Sequence, residues 1–421
     1  MNKQKKLMLL GGIRYLLPVI EAAHRHGYYV ITVDYVPENI AHQYSDEFHN
    51  VSILDKDAVL QLAQELNIDG ILSFGVDPGV VTAAYVAEQM GLSFQCSYES
   101  ACILQDKSRF RQFLKDNDFN VPNAKGYSSK EEALADTAYY NWPIIVKPVD
   151  SAGSKGVTRV DELGQLSLAI DYALSESHNG NFIIEDFLEK EGNSSDCDGF
   201  SIDGRLVFCS FDDQLFDAKA LNPYTPAAYT WPSTIPQWAQ DELMSELQRL
   251  MTLLKVKTGV YNIETRLCKN GKPYIMELSP RGGGNRLSEM MKYISGQDLI
   301  DNCVRAAVGD PIDEIQQPTY NGYWAEIILH SEYDGIFKSI EIDNRIEEKY
   351  LIEKDLWVRE GEKVWRFTGA NTTIGTLVLK FMSRKTMNSF LNSQQGIYKI
   401  KVCQSLDFDF KTKDSYKKVV K

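Results

Sequence analysis

The segment Thr258 to Arg286, TGVYNIETRLCKNGKPYIMELSPRGGGNR, constrains the fold and chemistry of this chain more than any other. Asn270-Gly271 suits a two-residue type I′ turn, whose central positions both need φ > 0. The flanks alternate apolar and polar residues, as half-buried strands do. With those two residues as the loop, Lys269 pairs with Lys272, Glu264 faces Glu277, and Asn262 faces Ser279. Carboxylates directly across an antiparallel pair repel, by roughly 3 kcal/mol at about 5 Å and an effective dielectric near 20. A hard divalent cation between them reverses that sign, and magnesium is bound through one or two carboxylates plus substrate phosphates. A slipped register, or a solvated face on which the acids never meet, is the competing reading. Arg281 and Arg286, flanking three glycines, place fixed positive charge beside the acids, and the segment reads as a magnesium-nucleotide site.

The chain has 421 residues, enough for two or three domains with cores of their own. Its 45 basic and 58 acidic residues leave a net charge of −13, which argues against a nucleic-acid backbone as partner but not against a small polyanion held by local lysines. No apolar run approaches the length that spans a bilayer. The N-terminal Leu7–Leu10 run, ended by Gly-Gly and Arg14, reads as a first buried strand rather than a signal segment. Cysteines 96, 102, 197, 209, 268, 303 and 403 form no CxxC and no zinc spacing, which fits reduced thiols in the cytoplasm.

Residues 1–105 alternate strand and helix, which implies a Rossmann-like α/β domain with a parallel sheet. Gly11-Gly12 after the first strand and Asp34 closing the second invite a dinucleotide reading, so a nicotinamide-dependent oxidoreductase is the runner-up. The full GxGxxG is absent. His24, His26, His42 and His49 read as helix or loop residues, not ligands. Residues 107–117 form a basic amphipathic helix. Strand 144–148 ends in Lys147, and the small residues Ser151, Gly153, Ser154 and Gly156 follow with Lys155; such a loop lets backbone N–H groups close on phosphate oxygens. Residues 212–236 read as a loop rich in Pro, Tyr and Asn. After Asp310-Pro311 the pattern turns strand-rich, and the basic tail 411–421 reads as a solvated end.

The order Lys107, IIVKPVDSAGSKGV, IIEDFL, YNIETR and IMELSPRGGGN resembles the ATP-grasp superfamily, specifically its carboxylate–amine ligases of the carbamoyl-phosphate synthetase large-subunit type. The resemblance covers roughly residues 5–310. It implies an α/β and α+β architecture: a Rossmann-like domain at 1–105, a small grasp lobe with a phosphate lid at 106–190, a large lobe with the metal site at 191–312, and a small β-rich domain at 313–421. It implies that Lys107 and Lys147 contact nucleotide phosphates under the lid formed by Ser151, Gly153, Ser154 and Gly156. Glu185 and the backbone of Asp186, Phe187 and Leu188 would meet adenine, Glu264 and Glu277 would hold magnesium (manganese as an alternative), and Arg281 would neutralise the transferred phosphoryl group. Two positions depart from the family pattern: Ser279 stands where Asn is common, and EKEGNSSDCDGF leaves Glu191, Asp196 and Asp198 as rival ribose contacts. Arg286, with Lys219 and Tyr224 of the 212–236 stretch, are candidates for gripping substrate. The expected activity is ATP-dependent ligation of a small carboxylate to an amine, with neither nucleic acid nor membrane as partner and a homodimer left open. A nucleotide-binding protein without catalysis is a third reading.

Overall fold

The computed structural model describes residues 4–151, 153–392 and 397–403; Ala152 of the lid and the basic tail lie outside them. The chain begins with β1 (Lys6–Leu10), α1 (Leu17–Arg25), β2 (Tyr29–Val33), β3 (Glu47–His49), α2 (Lys56–Leu66), β4 (Gly70–Ser73), α3 (Val80–Met90) and α4 (Tyr98–Gln105). The four strands form a parallel sheet in the order β3-β2-β1-β4. A parallel sheet is covered on both faces, which is why its strands are continuous apolar runs; Leu7 to Leu10 are fully buried. Helix starts are set by side-chain caps: Asp55 accepts from the Ala58 N–H, and Ser97 from the Ser100 N–H.

α5 (Lys107–Asp116) opens on Asp106, whose carboxylate accepts from the N–H groups of Ser108 and Arg109. The cap fixes Lys107 at the first helical position and Arg111 one turn on, along the same side. Then follow β5 (Ala124–Tyr127), α6 (Lys130–Ala135), β6 (Ile144–Pro148), β7 (Thr158–Val160), α7 (Leu163–Glu176) and β8 (Phe182–Asp186). These strands make an antiparallel sheet, β5-β8-β6-β7, whose inner face packs Ile144, Val146, Phe182 and Ile184 against Leu166 and Ile170 of α7.

The next elements are β9 (Lys190–Ile202), β10 (Arg205–Cys209), β11 (Asp213–Phe216), β12 (Pro226–Trp231), α8 (Gln237–Leu253), β13 (Gly259–Cys268), β14 (Pro273–Ser279), α9 (Leu287–Ser295) and α10 (Leu299–Ala307). β13 is central, with β14 on one side and β9 on the other. Leu243, Leu247 and Leu250 of α8 join Tyr261, Ile263, Ile275 and Leu278 in one cluster with Met8, Ile31 and Val80 of the N-terminal domain. The α/β domain and the β13/β14 hairpin therefore share a core, and that core holds the hairpin against α4 and α5.

By compactness the chain divides into two units. One takes in the chain up to Gln214 together with Trp231–Asn321, the other Leu215–Thr230 together with the chain from Gly322 onward. The second unit adds β15 (Tyr323–His330), β16 (Gly335–Ile342), α11 (Asn344–Lys349), β17 (Leu351–Leu356), β18 (Lys363–Val364), β19 (Thr373–Phe381), α12 (Arg384–Leu391) and β20 (Tyr398–Cys403). Its strands run in the orders β12-β15-β19-β17 and β18-β16-β20. The expected loop at 212–236 needs correction, because it contains β11 and β12. The alternation in β12 is masked in sequence by the turn-forming residues before it, yet Tyr229, Thr230 and Trp231 are buried. Among the described residues, no helix is long and apolar enough to cross a membrane.

Candidate nucleotide and metal site

The β13/β14 register pairs Asn262 with Ser279, Ile263 with Leu278 and Glu264 with Glu277, as expected. The turn that produces it differs from the expected two-residue loop. Cys268 N–H donates to Lys272 O (3.0 Å) and Gly271 N–H to Cys268 O (2.9 Å), so Lys269, Asn270 and Gly271 form a three-residue loop. Only Gly271 takes positive φ, at +75°, while Asn270 does not. The extra loop residue shifts the turn-proximal pairs by one, joining Arg266 to Tyr274 and Thr265 to Ile275. A β-bulge at Met276 then shifts the register back before Glu277. Two one-residue departures cancel, and the acids face each other.

Each acid of the pair already holds a cation. Arg266, two residues along β13 and so on the same face, places Nη2 2.9 Å from Glu264 Oε1. Lys107 Nζ lies 3.2 Å from Glu277 Oε1 and donates to Ser151 O at 3.0 Å, joining the acid to the start of the lid. Desolvation opposes charge on Glu277, but the ammonium groups of Lys107 and Lys147 outweigh it and hold the carboxyl below its ordinary value. With 46% of that side chain open to solvent, screening softens the attraction.

On the other side of β13, β9 pairs Asp196 with Glu264 and Asp198 with Asn262. Asp196, Glu264 and Glu277 therefore form a row of carboxylates across three strands. Burial, then the neighbouring Glu264, pushes Asp196 up to about 7. Asp212 extends the acidic region: its Oδ1 accepts from the Asp196 N–H (2.9 Å), and burial raises it well above the carboxylate range. Among the described residues, no three His, Cys, Asp or Glu side chains close into a cage able to hold a metal ion unaided. A pair of carboxylates completed by phosphate oxygens is the donor set that suits magnesium, and Glu264 with Glu277 fits it.

Facing this hairpin is a buried basic group. Lys147, in the last turnward positions of β6, donates to Glu185 Oε1 at 2.6 Å, and Arg111 Nε donates to Glu185 Oε2 at 2.9 Å. Burial opposes charge on Glu185, but Arg111 and Lys147 overcome it and hold the carboxyl at about 2. Burial lowers Lys147, with Arg111 and Lys107 acting the same way against Glu185. Three cations, Lys107, Arg111 and Lys147, thus gather around the acids Glu185 and Glu277. In the lid, Gly153, Ser154 and Gly156 all adopt positive φ, and a Cβ on Gly156 would lie 2.7 Å from Pro148 Cγ. Small residues that accept positive φ let the loop backbone approach a ligand closely.

Arg281 is clamped by its neighbours. Its Nε and Nη2 donate to the two oxygens of Asp77 at 2.7 Å each, and Nη1 donates to Gly282 O at 2.9 Å. Ser279 Oγ accepts from Gln105 Nε2 (2.7 Å) and donates to Asp77 Oδ1 (3.1 Å), so its hydroxyl is engaged with the α/β domain. The glycine run is pinned from below by Asp198, which accepts from the Gly283 N–H at 2.8 Å and from Ser288 Oγ. Arg286, in the left-handed region at φ +60°, caps α9 and pairs with Glu289 at 3.2 Å.

Glu185 is 2% exposed, and its two carboxylate oxygens accept from Lys147 and Arg111. The Asp186 and Phe187 N–H groups donate to Asn123 O and Pro143 O, the Asp186 carboxylate accepts from Asn123 and Asn141, and Leu188 packs on Cys268, Tyr274 and Met276. Lys219 and Tyr224 belong to the second unit, where their N–H groups donate to Asp217 and Asn222. Sequence reading missed Arg111, whose i, i+4 spacing from Lys107 was the available signal, and Asp77, which follows β4 in a Pro-Gly turn. The runner-up's Gly11-Gly12 turn is occupied from within, since a Cβ on Gly12 would meet the His42 ring at 2.4 Å.

Comparison with known proteins agrees with this geometry. Residues 140–289 match the family model described as the ATP-grasp domain. The chain carries an ATP-grasp domain. Its sequence is 26% identical over 293 residues to the carbamoyl phosphate synthase large chain of Thermotoga maritima, a match covering 66% of this chain and 26% of that one. The chain thus spans about a quarter of the length of the curated relatives it matches first. Two solved structures share its fold: an L-amino acid ligase from Bacillus licheniformis (TM-score 0.77, 19% identity, 96% of this chain and 100% of the other) and phosphoribosylglycinamide synthetase from Anaerococcus prevotii (TM-score 0.73, 19% identity, 95% and 100%). The ATP-grasp match contains Lys147, the lid, Glu185, Glu264, Glu277 and Arg281, while Lys107 and Arg111 precede it.

Proposed function

We propose that this chain catalyses ATP-dependent ligation. A substrate carboxylate attacks the γ-phosphate of ATP, giving an acyl phosphate and ADP; an amine then attacks the acyl carbon and releases phosphate. The observation that carries this reading is Glu264 facing Glu277, with Lys107 linking that pair to the lid. The names of the relatives, a carbamoyl phosphate synthase and an L-amino acid ligase, support it.

Phosphoryl transfer asks the protein for positioning and charge neutralisation more than covalent help. Lys107 and Lys147 contact phosphate oxygens, and the N–H groups of Ser151, Gly153, Ser154 and Gly156 close over them, excluding water that would hydrolyse an acyl phosphate. Magnesium, or manganese in its place, would be held by Glu264 and Glu277 and supplies neutralisation of phosphate charge when bound. Arg281, oriented by Asp77, sets a fixed positive charge beside the acids, and Arg286 presents a second one to the substrate carboxylate. The cytoplasm, where unpaired thiols stay reduced, is the compartment we assign, in keeping with seven free cysteines.

The test is ADP release during a screen of amino acids and small carboxylates as donors with amines as acceptors, magnesium present or omitted. The reading expects donor-dependent ADP release that needs the metal. Nucleotide turnover indifferent to every donor, or equal without a divalent ion, would overturn it.

A further inference from the structure

Arg111 belongs to no expected site, yet it is 3% exposed and touches both halves of the grasp. It lies one turn after Lys107 on α5. Its Nε donates to Glu185 Oε2 at 2.9 Å, and Glu185 in turn orients Lys147 through its other oxygen. Its Nη1 donates to Met276 O at 2.8 Å. Met276 is the bulge residue, the one that restores the register and brings Glu277 opposite Glu264. An unpaired bulge residue leaves backbone groups outside the ladder, and a buried carbonyl without a donor is costly. One guanidinium therefore ties the counter-ion of the phosphate lysine to the kink that aims the metal-side acid.

We propose that Arg111 is a positioning residue that sets the direction of Lys147 and the register of Glu277 together. The inference rests on the nucleotide and metal reading given under Proposed function. It needs an arginine specifically: a planar fork reaches acceptors on two strands at once, whereas an ammonium on a flexible stem holds one point. A buried cation placed only to cap a carbonyl would carry a desolvation penalty that a neutral amide avoids.

Two equilibrium measurements on the full chain read the two arms separately. Calorimetric titration with ATP in the presence of a chelator reports Lys147. Titration of manganese, followed by the electron paramagnetic resonance signal of the free ion with ATP present, reports Glu264 and Glu277. In Arg111→Lys and Arg111→Gln both affinities are expected to fall by roughly 10–100-fold, the range seen when an outer partner of a metal ligand is removed, at temperatures where circular dichroism still reports a folded chain. Glu185→Gln, which leaves the Met276 contact in place, should weaken metal-free ATP binding more than manganese binding. It also carries the test if Arg111→Gln fails to fold. Wild-type affinities within about twofold in Arg111→Lys, with only the melting temperature lowered, would make Arg111 a structural residue and overturn the proposal. Failure of the wild-type chain itself to bind manganese with ATP would instead defeat the functional reading, and this inference with it.

Discussion

Glu264 and Glu277 face each other with a cation apiece, Arg266 and Lys107, and neither carboxylate depends on the other for charge balance. Glu277→Gln should therefore leave the fold intact, with a urea midpoint close to wild type, while ATP turnover falls by roughly 100-fold or more, the scale of losing one transition-state charge partner. Near-full turnover in that variant would remove Glu277 from the metal site. Asp198 makes a different prediction. It is fully buried, and burial raises it to about 6 against the partial offset of Ser288, Gly283 and Arg281. A raised carboxyl stabilises the fold most below its unfolded value of 3.8, and that contribution is lost as pH rises through about 6. The stability difference between wild type and Asp198→Asn should shrink by about 2 kcal/mol between about pH 4 and pH 7. Urea denaturation of both proteins across that interval checks it; a difference that stays flat or grows with pH would contradict the assignment. At this scale the facing of Glu264 and Glu277 was legible in sequence, because charge at alternate strand positions is visible there. The contact of Glu185 with Arg111 was not legible, since that partner comes from another element.

The β13/β14 hairpin marks the limit of reading elements from local signals. Asn-Gly fits a two-residue I′ turn, but a three-residue loop with only Gly271 left-handed uses the same dipeptide. The bulge that compensates the extra loop residue also draws on a distant partner, since Arg111, 165 residues away, donates to the Met276 carbonyl. The expected register held because the second departure undid the first. Two glycines separate strain from crowding. At Gly271 nothing lies within 4 Å of an added Cβ, so Gly271→Ala meets only the strain of φ +75° and should lower stability by about 1 kcal/mol without altering nucleotide binding. At Gly283 a Cβ would lie 2.7 Å from Leu287 Cδ1 and 2.8 Å from Asn262 Nδ2 and Asp198 Oδ1. Gly283→Ala should lower stability by about 1–3 kcal/mol and also weaken ATP binding, because it displaces the support of the Arg281–Arg286 segment. Chemical denaturation and ATP titration of the two variants distinguish these outcomes.

Across the whole molecule, the alternating pattern of the first hundred residues and the strand-rich pattern after Asp310-Pro311 were readable from periodicity alone. The assignment of Leu215–Thr230 to the C-terminal unit was not, because a segment that leaves one unit and returns carries no local mark of where it packs. Nor does the net charge of −13 reveal that Lys107, Arg111 and Lys147 converge on one buried spot. That convergence, set against the facing acids, is the basis of the proposal that Glu264 and Glu277 would hold a divalent ion together with a bound triphosphate. Crystals of the chain grown with manganese and a non-hydrolysable ATP analogue test this most directly, through the anomalous scattering of the metal. The account predicts a peak at coordination distance, about 2.1 Å, from both the Glu264 and the Glu277 carboxylates, with analogue phosphate oxygens completing the shell. A peak that touches neither acid, or a bound triphosphate whose metal lies away from the β13/β14 hairpin, would contradict it.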